Sequence, residues 1–167
     1  MANYLKQQKT ELRGNYKSVK VALVMAEWNS IVTQKMADES VAELLALGVQ
    51  TKHITTYKVS GSFEIPYVAA QIAKQNKADV VICLGCIIKG ETIHDEVLAY
   101  TVTAAILNLN LTYNQAFILG VLTTNTLKQA IDRSNGKKGN KGRECARAAL
   151  SIWETGNAIR LKAKAKK

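Results

Sequence analysis

The residues best suited to chemistry gather in one stretch, Leu84 to Val97, which reads LGCIIKGETIHDEV. His94 is an imidazole, able to give and take a proton near neutrality. Gly85 and Gly90 bracket a turn, and Glu91-Thr92 stand where a helical pattern begins. Backbone N–H groups at such a helix start favour an anion. Thr92 and Asp95 have capping-box spacing, which predicts Thr92 as the cap of a helix from Ile93 towards Leu111. The chemistry on offer is acid–base work beside an anion. The plainer alternative is a tight turn carrying a surface histidine.

Cys83 and Cys86 have the spacing of a redox or zinc pair, but they straddle the end of an apolar run and no second ligand pair follows. With Cys145 they read as reduced thiols, Cys83 buried, and no metal site is expected.

The elements that must position these residues alternate along the chain. A strand is predicted over Val19–Glu27, ending at Trp28-Asn29, and Asn29 or Ser30 can cap the helix that follows as far as Gly48. A strand over Val49–Val59 leads through Ser60-Gly61-Ser62-Phe63-Glu64-Ile65-Pro66 into a helix to about Lys74, its proline placed in the first turn. The apolar run Val80–Leu84 is the third strand, followed by the helix of His94. Ala116–Leu122 is the fourth strand, Thr126–Arg133 a short helix, and a basic Gly-rich loop, Ser134–Gly142, precedes a last helix from about Glu144 to Ala158. Strands alternating with helices imply βαβ units and a parallel sheet covered on both faces. Trp28-Asn29, Ser62–Glu64, Cys86–His94 and Leu119–Thr124 then fall at the carboxyl ends of successive strands, the edge where open α/β sheets bind ligands.

At 167 residues the chain suits one domain, with an arm over 1–18, a body over 19–158 and a basic tail over 159–167. No apolar run is long enough to span a membrane and the first twenty residues lack a secretory core, so a cytoplasmic protein is expected. The net charge of +10 lies at the ends: residues 134–167 hold ten Lys/Arg against two Glu, whereas 21–133 hold eight basic against ten acidic residues. The tail from Arg160 has no aromatic to stack on bases, which weighs against nucleic acid as a partner.

Five stretches together resemble lumazine synthase, the penultimate enzyme of riboflavin biosynthesis: Trp28-Asn29, GSFEIP (Gly61–Pro66), LGCIIKGETIH (Leu84–His94), GVLTTNTLKQAIDR (Gly120–Arg133) and GNKG (Gly139–Gly142). Each is weak alone; in order and at the family's spacing they are specific. The resemblance implies a flavodoxin-like three-layer α/β/α sandwich whose four-stranded parallel sheet has the order 2-1-3-4. It implies a cofactor-free transferase that joins 5-amino-6-(D-ribitylamino)uracil to 3,4-dihydroxy-2-butanone 4-phosphate, giving 6,7-dimethyl-8-ribityllumazine, phosphate and water. It implies homopentamers, or sixty-subunit shells of twelve pentamers, and association with riboflavin synthase. The spacer Ser134–Lys138 resembles that of the shell-forming members.

By the same resemblance His94 transfers protons and Trp28 stacks on the pyrimidine. Asn29, Ser62, Phe63 and Glu64 hold the ribityl chain, and backbone at Ile87, Ile88 and Lys89 meets the ring's polar edge. The phosphate falls to the Glu91-Thr92 turn and Arg133, and Lys141 reaches the second substrate. Leu119, Arg133 and Lys141 come from the neighbouring subunit. This chain departs from the family's usual pattern at Trp28 (often Phe), Ser60 (Pro), Lys89 (Arg), Asp95 and Leu119 (both often aromatic). A binding protein without turnover, or a basic scaffold for polyanions, are the alternatives.

Overall fold

Residues 11–164 are described by a computed structural model of the chain. Four parallel strands form one sheet: β1 (Val21–Ala26), β2 (Ile54–Val59), β3 (Val80–Ile88) and β4 (Ala116–Thr124), in the order β2-β1-β3-β4. Helices α1 (Ser30–Ala46), α2 (Ile65–Lys74), α3 (His94–Thr112), α4 (Leu127–Asn135) and α5 (Lys141–Lys164) complete it.

Side chains on β1 alternate between the two faces, and every one is buried. Val21, Leu23 and Met25 pack with Ile82 and Leu84 of β3 beneath α1, α4 and α5, where Met36, Leu44, Ala130, Ala146 and Leu150 meet them. Ala22, Val24 and Ala26 pack with Val81 and Cys83 against Ile65, Ala69 and Ile72 of α2 and Val102 and Ile106 of α3. This is the three-layer sandwich expected, buried on both faces as parallel sheets are.

The structure moves several boundaries. β3 runs on to Ile88, four residues past Leu84. It does so because Gly85 lets the strand pass under Ser62: a Cβ there would lie 2.6 Å from the Ser62 hydroxyl oxygen. β2 is shorter than predicted, since Thr51–His53 form a single 3₁₀ turn before it. α5 begins at Lys141 and continues to Lys164, beyond Ala158. Thr92 is not the cap of α3; Ile93 holds that position. The Thr92 hydroxyl accepts from the His94 N–H at 3.4 Å, and Asp95 reaches back to the Gly90 N–H at 3.2 Å. The bracing of the loop therefore falls on Gly90.

The arm expected over 1–18 has two anchor points among the described residues. Leu12 packs on the core, and Tyr16 is 3% exposed, edge-on to Trp153 of α5 and donating to the Glu154 carboxylate. The parts of the arm and tail over 1–10 and 165–167 lie outside the described residues. All three cysteines are free and buried. Burial pushes the thiols of Cys86 and Cys145 up to about 11 and that of Cys83 further still. Among the described residues no group of His, Cys, Asp or Glu could hold a metal, and no helix is long and apolar enough to cross a membrane.

Candidate active site

The carboxyl ends of β1, β2 and β3 bring the first group of residues together. Past β1 the chain turns sharply: the Trp28 N–H donates to the Ser60 carbonyl at 3.0 Å, and Asn29 takes a left-handed conformation with φ 60°. That conformation is tolerated by Asn better than by most residues. Asn29 occupies the cap position of α1 without a capping side-chain bond. Its Nδ2 instead donates to the Cys86 carbonyl on β3 at 2.9 Å, tying the turn to the neighbouring strand. The Trp28 ring is left 75% exposed, a flat apolar face at the sheet edge beside Gly61.

After β2, Ser62–Glu64 make a single 3₁₀ turn into α2. Ser62 is buried over Gly85, while Phe63 and Glu64 are exposed. The Gly61 N–H donates to Glu64 Oε2 at 2.8 Å. A carboxylate has about four acceptor sites, so this bond fixes Glu64 without exhausting it.

At the end of β3, Ile87 is buried and Ile88 half-buried, opposite Thr123 and Thr124 of β4. The Lys89 N–H is spent on the Thr124 carbonyl at 2.8 Å, so the Lys89 carbonyl is the backbone group left to serve a ligand there. Glu91 and Thr92 are exposed in the loop, and His94 opens α3 with its ring in solvent.

A second group lies beside β4. Arg133, in the last turn of α4, and Lys141, the first residue of α5, line one cavity of about 230 Å³ with Thr123, Lys138 and Glu144. Lys141 Nζ is 3.8 Å from Glu144 Oε2. Leu119, half-way along β4, lines a wider groove of about 870 Å³ that also takes in Lys141 and runs along α5. Neither lining includes Trp28, Ser62–Glu64 or His94. On a single chain the predicted residues thus form two groups, one with the exposed indole and imidazole beyond β1–β3 and one with the cations beside β4.

Sequence reasoning missed the residues that hold the cationic group. Glu39 of α1 is buried and accepts from Asn135 at 2.7 Å, from Asn140 at 2.8 Å and from the Arg143 Nε at 2.8 Å. Hydrogen bonds from Asn140 and Arg143 hold its carboxyl below the usual range, against the opposing effect of burial. Lys138 adds a third cation to the smaller cavity. One signal was present: Glu39 falls three residues after Met36 and seven after Val32, both buried, so helical periodicity turns it inward.

Comparison with known proteins covers the same span. The family model described as 6,7-dimethyl-8-ribityllumazine synthase matches residues 18–156. The chain is 36% identical over 147 residues to the 6,7-dimethyl-8-ribityllumazine synthase of Protochlamydia amoebophila, covering 88% of this chain and 86% of that one. It is 41% identical over 138 residues to the protein of the same name from Cytophaga hutchinsonii, with 83% and 87% covered. The similarity to that of Parabacteroides distasonis is 39% over 132 residues, with 79% and 82% covered. The matched span contains both groups of residues at the sheet edge, and the chain belongs to the 6,7-dimethyl-8-ribityllumazine synthase family.

Proposed function

We propose that this chain acts as a 6,7-dimethyl-8-ribityllumazine synthase and that each active site is completed by a second copy of the chain. The observation that carries the shared site is the separation of the two groups. Trp28, Glu64 and His94 stand at the ends of β1, β2 and β3, while Arg133 and Lys141 line a different cavity beside β4. A bisubstrate reaction with one phosphorylated partner needs both. Two copies meeting edge to edge supply both.

The pyrimidine stacks on Trp28, and its ribityl hydroxyls bond to Glu64, Asn29 and the backbone of Ser62 and Phe63. The carbonyl of Lys89 and the backbone of Ile87 and Ile88 face the ring's polar edge. The phosphate of the ketone lies by the backbone of Glu91 and Thr92, with Arg133 and Lys141 of the adjoining copy as counter-ions and Leu119 as an apolar wall. Glu91 is anionic and takes part through its backbone N–H alone. The 5-amino group attacks the ketone and one water leaves. Phosphate is eliminated to give an enol that becomes a new ketone, and the ribityl-bearing nitrogen closes the ring on that ketone with loss of a second water. Each step moves a proton, and His94 at the mouth of α3 carries it. Holding amine and ketone in register contributes alongside the proton transfer, since well-oriented partners gain effective molarities of about 10⁵ M or more.

An exposed apolar stripe supports assembly. Ile93, Val97, Tyr100, Leu107 and Leu111 recur at helical spacing on the outer side of α3, all more than half exposed. Such a stripe on one chain marks an interaction surface. A homopentamer, closed into a sixty-subunit shell as the short spacer Ser134–Lys138 suggests, is the assembly that fits this reading; light scattering on the eluted protein distinguishes ring from shell.

The test of the shared site is complementation. His94→Ala and Arg133→Ala subunits, each nearly inactive alone, are unfolded, mixed in equal amounts and refolded. Lumazine absorbance and phosphate release should recover to about a quarter of the wild-type level, the fraction of boundaries that receive one intact half from each side. A mixture no more active than its two parents would sink the reading.

A further inference from the structure

The loop that carries Lys141 has little to hold it by itself. Gly136, Gly139 and Gly142 punctuate it, and Gly139 has φ 138°. Glycine-rich segments lose much backbone freedom on ordering. Lys137, Lys138, Lys141 and Arg143 crowd positive charge into the same few residues. Left alone, such a loop would open.

Glu39 counters both tendencies from outside the loop. Its Oε1 takes the Asn135 amide at 2.7 Å and lies 3.5 Å from Lys35 Nζ. Its Oε2 takes the Asn140 amide and the Arg143 Nε, each at 2.8 Å. Both oxygens are thus engaged by residues on either side of Lys141. Asn140 also caps α5, accepting from the Arg143 N–H at 3.0 Å, and bonds to Asn135 Oδ1 at 3.2 Å. The next residue of α1 adds a second hold: Ser40 Oγ donates to the Gly142 carbonyl at 2.9 Å. Gly142 lies so close to α1 that a Cβ would come within 2.2 Å of the Met36 carbonyl oxygen.

We propose that Glu39 is a positioning residue for the reaction: its carboxylate fixes the loop between α4 and α5 so that Lys141 and Arg133 face one phosphate. This rests on the reading above that those two cations serve the phosphorylated ketone. Charge-assisted bonds of this kind are short and directional. They set where Lys141 leaves the backbone, and a displacement of about 1 Å at a reacting group can cost as much as 10²-fold.

The test is steady-state kinetics on the assembled Glu39→Gln protein, with amide exchange followed over the loop. An amide keeps the shape but turns an NH₂ group towards one of the donors. The KM for 3,4-dihydroxy-2-butanone 4-phosphate should rise on the order of tenfold, the KM for the pyrimidine should stay within about twofold, and exchange over 136–142 should quicken. In a Lys141→Ala background, Glu39→Gln should change the first KM no further, because the two act through one contact. Where Lys141→Ala raises that KM and Glu39→Gln does not, the proposal is overturned. Where Lys141→Ala leaves it unchanged, the assignment of Lys141 is what fails, and unchanged exchange in Glu39→Gln would defeat the clamp itself. Should Glu39→Gln not assemble, Asn135→Ala and Arg143→Leu each remove one donor; both must show the same split in smaller measure, and silence from both overturns the proposal.

Discussion

His94 sits in solvent on the single chain, at the first turn of α3 and next to Asp95 and Glu96. On the proposed reading a proton carrier there needs reach more than burial, and the Gly90–Asp95 bond braces the loop that precedes it. His94→Ala should lower kcat by about 10²–10⁴-fold while both KM values stay near wild type, as measured by lumazine absorbance. Turnover should persist because bringing amine and ketone together does not need the imidazole. At this scale the motifs displayed the candidate residues, and the family resemblance, not residue type alone, gave Trp28, Glu64 and Lys141 their expected roles. Glu39 was not legible. Its partners lie 96–104 residues away along the chain, and a glutamate within a helix is ordinarily a solvated one. Asn29 was legible as a helix cap but not in its use, because its side chain turns to Cys86 instead of to its own helix.

Among the elements, β3 shows how a glycine misleads. Strands are usually weakened by glycine, so the predicted strand stopped at Leu84. Here Gly85 is the reason the strand continues, because the Ser62 hydroxyl fills the space of its missing side chain. Gly85→Ala should destabilise the protein by about 1–3 kcal/mol and displace Ser62 from the site edge. Adding Ser62→Gly should return most of that loss in urea titrations. The anchoring of the segment before β1 was not legible either: one buried tyrosine holds a polar stretch that shows no periodicity. Burial first, and then the bond to Glu154, push the Tyr16 phenol up to about 12 from an ordinary value near 10. The neutral phenol is the form the fold favours, so its contribution is full below pH 10 and lost as pH rises towards 12. Tyr16→Phe should therefore flatten the alkaline fall in stability over that window while leaving the stability curve between pH 6 and 9 unchanged in slope. Denaturation midpoints against pH would check it.

For the whole molecule, the sheet order and both helical layers were legible because apolar runs alternated with helical spacing, and right-handed crossovers leave few topologies. The exposed apolar face of α3 was not read from the sequence. Its apolar residues surround the helix, and only the packed structure separates Val102 and Ile106, which face the sheet, from Tyr100, Leu107 and Leu111, which do not. Tyr100→Glu should break assembly, since an unpaired charge in such a face costs about 3 kcal/mol or more. Light scattering should then report a smaller particle with unchanged circular dichroism and activity lost by more than about 10²-fold. A monomer retaining full activity would contradict the shared site.

The sealed thiols have a practical consequence. Cys83 and Cys145 belong to the packed layers on opposite faces of the sheet, and Cys86, near the end of β3, accepts from Asn29 through its carbonyl. With all three shielded and raised in pKa, an alkylating reagent near pH 8 can mark them only when the fold breathes. The order in which the labels appear would tell which helical layer detaches first. A pyrimidine resting against Trp28 should delay the mark at Cys86 above all.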